Sequence, residues 1–230
     1  MYFRHAHDVW SEFPELAAGA LHAEGIHRNV SVAAYVAEFE AMARARLTDR
    51  AEGELPEIQA WRRAFSHLGL KPTQYRSAAE ALLRRFRKEG TLPQIHPLID
   101  LCNAASLAFA IPIAVFDLAR VASDLEVRPA VGEEIYETFA GEIEHPAPGE
   151  VIFADGAGRA HARRWTNRQS GYSAIRDETA SVLIVAEALH GGGEADIGRL
   201  VDALGEAIRA SWSVDPGTAM LERAAPRFDF

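Results

Sequence analysis

Hydrophobic positions recur with one period in the first half of this chain and another in the second, and the change falls near Pro112. From Ser31 to about Leu47 the residues Val32, Tyr35, Val36 and Phe39 repeat at helical spacing behind a Ser31 cap. The charged stretch Thr48–Glu54 breaks that pattern. Pro56 suits the first turn of a second helix whose inward face is Ile58, Trp61, Phe65 and Leu68, and Gly69 ends it. Ser77 with Glu80 forms a capping box that opens a helix over Ala78–Lys88, with Leu82, Leu83 and Phe86 inward and Gly90 as the stop. His96–Phe109 is apolar enough for a largely buried helix. Upstream, Leu16–Ile26 is small and apolar, which predicts a buried strand, although the run alone also suits a helix.

Beyond Pro112 the runs are short and β-like. Ile113–Asp117, Leu125–Arg128, Val151–Phe153, Ala160–Ala162 and Ser181–Val185 are separated by Gly, Pro and Asp. A last helix spans about Glu194 to Trp212, and the tail Ala225–Phe230 either packs or frays. Helices first and strands afterwards predict an α+β fold, with the helices packed on a mixed or antiparallel sheet from the second half. No repeat or low-complexity linker divides the chain. It reads as a single domain over 1–230, in which residues 1–50 are the least defined by pattern.

Composition narrows the function classes. At 230 residues and 25.2 kDa the chain can bury a substantial core. A formal charge of −9, from 33 acids and 24 bases, excludes a surface that coats nucleic acid throughout, though not a local basic patch. Only Lys71 and Lys88 are lysine, so the bases are almost all arginine forks suited to phosphate and carboxylate. Six acids and no Lys or Arg lie between Glu133 and Glu150, which places any RNA contact on another face. Arg76, Arg84, Arg85, Arg87 and Lys88, against the single acid Glu80, read as the solvated face of the capped helix. The lone Cys102 cannot form an internal disulfide, no apolar window is long enough for a membrane span, and the start has no signal-peptide pattern. The expectation is therefore a cytoplasmic protein without a membrane partner.

Several familiar motifs fail on their context. Gly156-Ala-Gly158 sits between strands as a hairpin turn, and His190-Gly-Gly-Gly193 reads as a strand-to-helix turn, since no Gly-x-Ser-x-Gly accompanies it. The nine histidines are scattered, with only His5 and His7 close, so neither a metal nor another cofactor is expected. Cys102 lies six residues from His96, on a different helix face, and reads as a core residue.

The concentrated chemistry lies between Arg159 and Thr179. Arg159, Arg163, Arg164 and Arg168 are unopposed by any acid in their own segment, and the first three are the candidate RNA contacts. Trp165, Asn167, Arg168, Gln169 and Ser170 offer an aromatic face, amides, a cation and a hydroxyl, a mixture able to recognise an anionic or amide-bearing ligand such as a nucleotide terminus. The same residues would equally make an arginine-bearing strand end anchored by Trp165 in the core.

Ordered motifs in this chain resemble a known family. Leu92-Pro-Gln-Ile-His-Pro-Leu-Ile-Asp-Leu-Cys-Asn103, Ile111-Pro-Ile-Ala-Val-Phe-Asp117 and Leu125-Glu-Val-Arg-Pro-Ala-Val-Gly-Glu133 resemble the B3/B4 domain of the phenylalanyl-tRNA synthetase beta subunit. Ser77-x-x-x-x-Leu82 and the run Gly171–Leu183 extend the likeness, while Trp61–Arg85 and Trp165–Ser170 look closer to free-standing B3/B4 proteins. The resemblance covers about residues 60–190. It implies the B3/B4 fold and, by analogy with the synthetase, a second-sieve site that hydrolyses a wrongly esterified amino acid from tRNA. An aminoacyl ester is already activated, so a positioned water and hydrogen-bond donors could suffice.

Carried over residue by residue, the resemblance puts Thr179 on a threonine of the synthetase pocket, and Asn103 and Asp117 on motif positions. Ala114 stands where the motif has a histidine and Ile111 where it has a glutamine. Arg163–Ser170 replaces a glycine-rich approach and offers no counterpart to its pocket glutamate. Asn103 and Asp117 would also serve as buried polar ties between loops, Thr179 as a turn cap, and Tyr75 and Trp61 as core. Two functions follow as expectations. One is a tRNA-associated trans-editing hydrolase that takes the aminoacyl-tRNA 3′ end into a pocket of Asn103, Trp165, Asn167, Arg168, Gln169, Ser170 and Thr179, with no catalytic residue assigned. The other is a non-catalytic module that binds RNA, an amino acid or a related metabolite.

Overall fold

Local signals set most of the helix boundaries in the computed structural model, which describes residues 1–230. Ser77 Oγ accepts the Glu80 amide at 3.3 Å and opens helix α4 (Ala78–Glu89), which Gly90 closes in the left-handed conformation that a residue without Cβ adopts freely. Pro56 starts α3 (Pro56–His67), and His96 caps α5 (Pro97–Phe109) through Nδ1, 3.2 Å from the Leu98 amide. Ser31 is a weaker signal than its position suggests. Helix α2 (Ala33–Leu47) has Val32 at its cap, and Ser31 Oγ lies 3.5 Å from the Ala33 amide. A short α1 (His7–Glu12) and the long α6 (Gly193–Trp212) complete the helices.

The α+β class is as expected, but the sheet is not one unit drawn from the second half. Strands β1 (Tyr2–His5) and β2 (Ala17–Glu24) come from the first fifty residues, and each is interior to a different sheet. The second half supplies β3 (Ile113–Asp117), β4 (Leu125–Pro129), β5 (Tyr136–Glu137), β6 (Ile143–Glu144), β7 (Val151–Asp155), β8 (Ala160–Arg163), β9 (Arg168–Gln169), β10 (Ser181–Ala188), β11 (Gly217–Leu221) and β12 (Arg227–Asp229). A mixed six-stranded sheet runs β12-β1-β4-β7-β8-β9, an antiparallel four-stranded sheet runs β11-β2-β10-β3, and β5 pairs with β6. The tail packs: β12 joins β1, and the chain's first amine donates to the Phe230 carbonyl at 3.0 Å.

Three layers result. Helices α2, α5 and α6 cover one face of the four-stranded sheet, where Phe39, Leu101, Leu200 and Leu204 meet Leu21, Val182 and Ile184. The opposite face, carrying Ala18, Ala20, Leu183 and Val185, packs on Phe3, Val127 and Phe153 of the six-stranded sheet together with Trp61 and Phe65 of α3. A strand buried on both faces needs apolar residues at consecutive positions, which is why β10 reads Val-Leu-Ile-Val without alternation. Its exception is Glu187, 2% exposed. Cys102 is core, and burial pushes its thiol pKa up to about 12, so it stays protonated and unreactive at neutral pH. No helix is long and apolar enough to cross a membrane.

Gly19 fixes the distance between β2 and α6. A Cβ there would lie 2.5 Å from Val201 Cγ2 and 2.7 Å from Ile197 Cγ2, inside the closest approach of carbon atoms. Gly19→Ala is expected to lower unfolding free energy by about 1–3 kcal/mol through overpacking, read as a lower urea midpoint at unchanged m value.

Candidate functional site

The four-residue connection Arg164–Asn167 between β8 and β9 is built against backbone preference. Arg164 and Trp165 both take positive φ, 47° and 56°, the left-handed region that glycine and asparagine enter more readily than arginine or tryptophan. Each such residue costs about 1–2 kcal/mol, so the surroundings must hold them. The Trp165 amide donates to the Val151 carbonyl at 2.7 Å, and the Arg164 amide to Glu150 Oε1 at 3.0 Å. The fully buried indole meets Phe13 and Trp61 edge-on, each at a centroid distance of 4.9 Å, and its Nε1 donates to Glu187 Oε1 at 2.8 Å.

Around this turn the structure forms a cleft of about 50 Å³. Pro112 and Ala114 of the β3 approach form one wall, Ala162 and Trp165 another, and Asn167, Arg168 and Gln169 the polar edge. Two of those polar groups are anchored by backbone carbonyls: Asn167 Nδ2 donates to Arg76 O at 2.8 Å, and Gln169 Nε2 donates to Val115 O. Arg168 is exposed. Its side chain rests near Tyr136, 5.5 Å from the ring centroid, and meets Glu144 at 3.4 Å.

Glu187 also lines the cleft. His5 Nε2 lies 2.7 Å from the same Oε1 that accepts Trp165, and His5 is fully buried. The cleft therefore has a carboxylate after all, supplied by β10 rather than by the 163–170 segment. Sequence reasoning missed it. The available signals were an acid inside a continuous apolar strand and a histidine on the inward face of a four-residue strand.

Not all the expected site residues meet here. Trp165, Asn167, Arg168 and Gln169 do. Asn103 lines a separate cavity of about 400 Å³ beside α2 and α5. Ser170 is buried outside the cleft lining, donating to the Glu137 carbonyl at 2.7 Å and accepting the Tyr172 amide at 3.1 Å. Thr179 donates to Asp117 Oδ2 at 2.8 Å and accepts the Arg176 amide at 3.0 Å, while Asp117 Oδ1 accepts the Ala119 amide. Ser170 and Thr179 are structural ties and Asn103 faces another cavity, so of the seven residues expected in one pocket four line this cleft, with Glu187 beside them.

The arginine expectations change similarly. Arg163 is engaged within the fold instead of being presented at the surface. Its side chain is 7% exposed and grips Glu150 through Nε and Nη2, both at 2.9 Å, with Nη1 on Glu144 at 2.6 Å. The acidic block is accordingly not confined to a separate face, because two of its members neutralise the arginine segment. Arg159 lies 3.9 Å above the Tyr172 ring and Arg164 4.6 Å from the Tyr75 ring, and both remain part-exposed. In the other basic cluster, Arg84 and Arg87 pair with buried Glu52, and Arg76 with buried Glu80.

Two further constellations have suggestive composition. Ser173 Oγ lies 2.8 Å from His161 Nδ1, and His161 Nε2 lies 3.1 Å from Asp155 Oδ2. All three are buried, and Asp155 is occupied by the Ala122, Ala157 and Arg159 amides, so the trio ties the β7–β8 hairpin instead of presenting a nucleophile. Glu57, His190 and Asp196 place ligand atoms within 4.8 Å of one another and are the residues best disposed to hold a cation. Arg46 already pairs with Glu57 at 2.6 Å, and Arg199 pairs with Asp196, so the carboxylates are balanced by guanidinium groups.

Comparison with known proteins decides the family. The sequence model of the B3/4 domain matches residues 60–197, more than half of the chain. The chain belongs to the B3/4 domain family. Over 101 residues it is 31% identical to the phenylalanine–tRNA ligase beta subunit of Shewanella oneidensis, a match that spans 44% of this chain and 12% of that protein. Its fold is similar to the crystal structure of an N-terminal fragment of the phenylalanyl-tRNA synthetase beta-subunit from Pyrococcus horikoshii, with a TM-score of 0.50 and 8% identity, covering 95% of this chain and 53% of that one. Every cleft residue of this B3/4 domain lies inside the family match; His5, which supports Glu187, lies outside it.

The Arg163–Glu150 pair gives this B3/4 domain a defined acid response. Burial alone would raise the Glu150 pKa, but hydrogen bonds from Arg163 and from the Arg164 and Ala147 amides outweigh it and hold the carboxyl below its ordinary 4.5. A depressed folded-state pKa stabilises above the unfolded value and loses that contribution as pH falls through the folded one. Stability is therefore expected to fall progressively below about pH 4.5. Arg163→Met is expected to cost about 3 kcal/mol at pH 7 by leaving Glu150 buried and unpaired, and to flatten the acid limb relative to the parent. Urea melts from pH 3 to 7 check both effects.

Proposed function

We propose that this B3/4 protein hydrolyses the ester of a misacylated aminoacyl-tRNA in trans, receiving the aminoacylated 3′ end at the cleft beside Trp165. The observation that carries the reading is the meeting of two family segments at one small opening. Pro112–Ala114 faces Asn167–Gln169, with an exposed guanidinium at the mouth and a carboxylate inside. The relatives' names support tRNA as the partner class. The cleft is too small for a whole nucleotide, so the terminal ribose and phosphate would lie outside against Arg168, with Arg159 and Arg164 as the other reachable cations. The ester needs no covalent nucleophile: a water held in the cleft would attack the acyl carbon, the bond to the tRNA 3′ oxygen would break, and the proton lost by the water would end on that oxygen as the free hydroxyl, while the amide hydrogens that Asn167 and Gln169 do not already spend would stabilise charge developing on the carbonyl oxygen.

Ala114, at the position of the motif histidine, favours one other reading, a module that binds the same end without hydrolysing it. Deacylation of a panel of mischarged tRNAs separates the two. The hydrolase reading expects turnover above the spontaneous rate and, for Arg168→Ala, a loss of about tenfold or more in kcat/KM, the value of one charge-assisted hydrogen bond. Salt-dependent tRNA binding with no turnover supports the module, and absence of both overturns the tRNA reading. Because few cations are free, the log–log salt slope of tRNA affinity is expected to be shallow, about −2 to −3.

A further inference from the structure

Glu187 is a costly residue to place where it is. A carboxylate in the middle of a strand buried on both faces must find donors or remain uncompensated. It finds two, His5 Nε2 at 2.7 Å and Trp165 Nε1 at 2.8 Å, and both converge on Oε1. No protein group donates to Oε2, although the residue borders the cleft. His5 Nδ1 is buried with no partner, so the imidazole has no second anchor beside Glu187. The floor of the cleft thus carries a carboxylate oxygen that no protein group occupies.

The space beside that oxygen is small, with apolar walls and a polar edge of Asn167, Arg168 and Gln169. Its volume is about 50 Å³, against the several hundred Å³ of sites that enclose drug-sized ligands. A water needs roughly 10–15 Å³ on this measure, so about four such groups fit. Ala114, Ala162, Phe153 and Trp165 confine it. An ammonium, the carbon that bears it and one short substituent match this volume and this charge; a phenol or indole does not. The exposed Arg168 guanidinium at the mouth, which meets Glu144 at 3.4 Å, and the Glu187 carboxylate within suit a molecule that is cationic at its inner end and anionic at its outer end.

We infer that Glu187 is the ammonium-binding carboxylate of the cleft, and that the group admitted is the aminoacyl moiety of a small α-amino acid, such as alanine, in preference to an aromatic one. His5 and Trp165 act as positioning residues that hold the carboxylate toward the cleft. This rests on the reading of the cleft as an aminoacyl site and names the substrate class for it.

The test uses amide-linked analogues that cannot be hydrolysed, titrated calorimetrically into the full chain: 3′-alanylamino-3′-deoxyadenosine, its tyrosyl counterpart, and the N-acetylated alanyl compound. The alanyl compound is expected to bind at least about tenfold more tightly than either of the others, since N-acetylation removes a charged hydrogen bond. Glu187→Gln should erase the advantage over the N-acetylated compound, and Ala114→Phe, which fills the space without touching Glu187, should abolish alanyl binding. Equal affinity for tyrosyl and alanyl compounds, indifference to N-acetylation, or no binding at all overturns the inference, and these ligand arms do not require a variant to fold. Failure of the hydrolase reading has a different signature: the expected binding pattern with no deacylation of alanyl-tRNA. Deacylation that is indifferent to the amino acid leaves that reading standing and removes this one.

Discussion

A carboxylate buried in the central strand of a β-layer dictates the arrangement of everything near it. Glu187 is only 2% exposed, so the protein brings hydrogen-bond donors to one of its oxygens, and they come from sequence positions 182 and 22 residues away. His5 requires β1 to lie alongside β4 with its inward face toward β10. Trp165 requires the β8–β9 connection to turn inward through two left-handed residues. Losing one buried acceptor of this kind typically costs about 1–3 kcal/mol for each donor left behind. The contact therefore couples the edge of the chain, the strained turn and the core strand into one unit.

That coupling gives the strain at Arg164 and Trp165 a physical reason. Asparagine or glycine at these positions would enter the left-handed region at less backbone cost, but neither would deliver an indole to the cleft wall. The cost of about 1–2 kcal/mol per left-handed residue is offset by burying a whole tryptophan between Phe13 and Trp61, by its hydrogen bond to Glu187, and by the amide bond from Arg164 to Glu150. Arg163, one residue earlier, closes the same arrangement from outside by gripping Glu150 and Glu144. Strain stored beside a cleft and held by the surrounding framework is a common design where side chains must be placed within narrow limits.

The parts of this design that were legible in the sequence are those with local causes. Capping residues, prolines and glycines act within one turn, so α3, α4 and α5 could be located from Pro56, Ser77, Gly90 and His96. β10 declared itself by a continuous apolar run. Strand β1 did not, because its inward positions are Phe3 and His5 and the histidine breaks the apolar alternation that marks a half-buried strand. The site was half legible for the same reason. Trp165, Asn167, Arg168 and Gln169 lie within five residues and reach the cleft together, whereas Asn103 and Thr179 were placed by motif position alone, and the fold sends them elsewhere. Which arginines remain free depends on carboxylates distant in sequence, and no local pattern shows that Glu144 and Glu150 fold back on Arg163.

Charge pairing of this kind also limits what the surface can do. Arginines that look unopposed along the chain are opposed in space: Arg163 by two glutamates, Arg84 and Arg87 by Glu52, Arg76 by Glu80. The long-range field of a chain with net charge −9 repels a polyanion, and the Debye length of about 8 Å at physiological salt confines any attraction to the immediate neighbourhood of the more exposed cations. Arg159 and Arg164 are part-exposed over aromatic rings, and Arg168 stands at the cleft mouth. A polyanion meeting such a surface is held at one point and pushed away elsewhere, which suits a terminus better than a duplex. On the proposed reading, affinity would come from the group that enters the cleft, and discrimination between ligands would rest on the fit around Glu187 more than on the backbone that carries them.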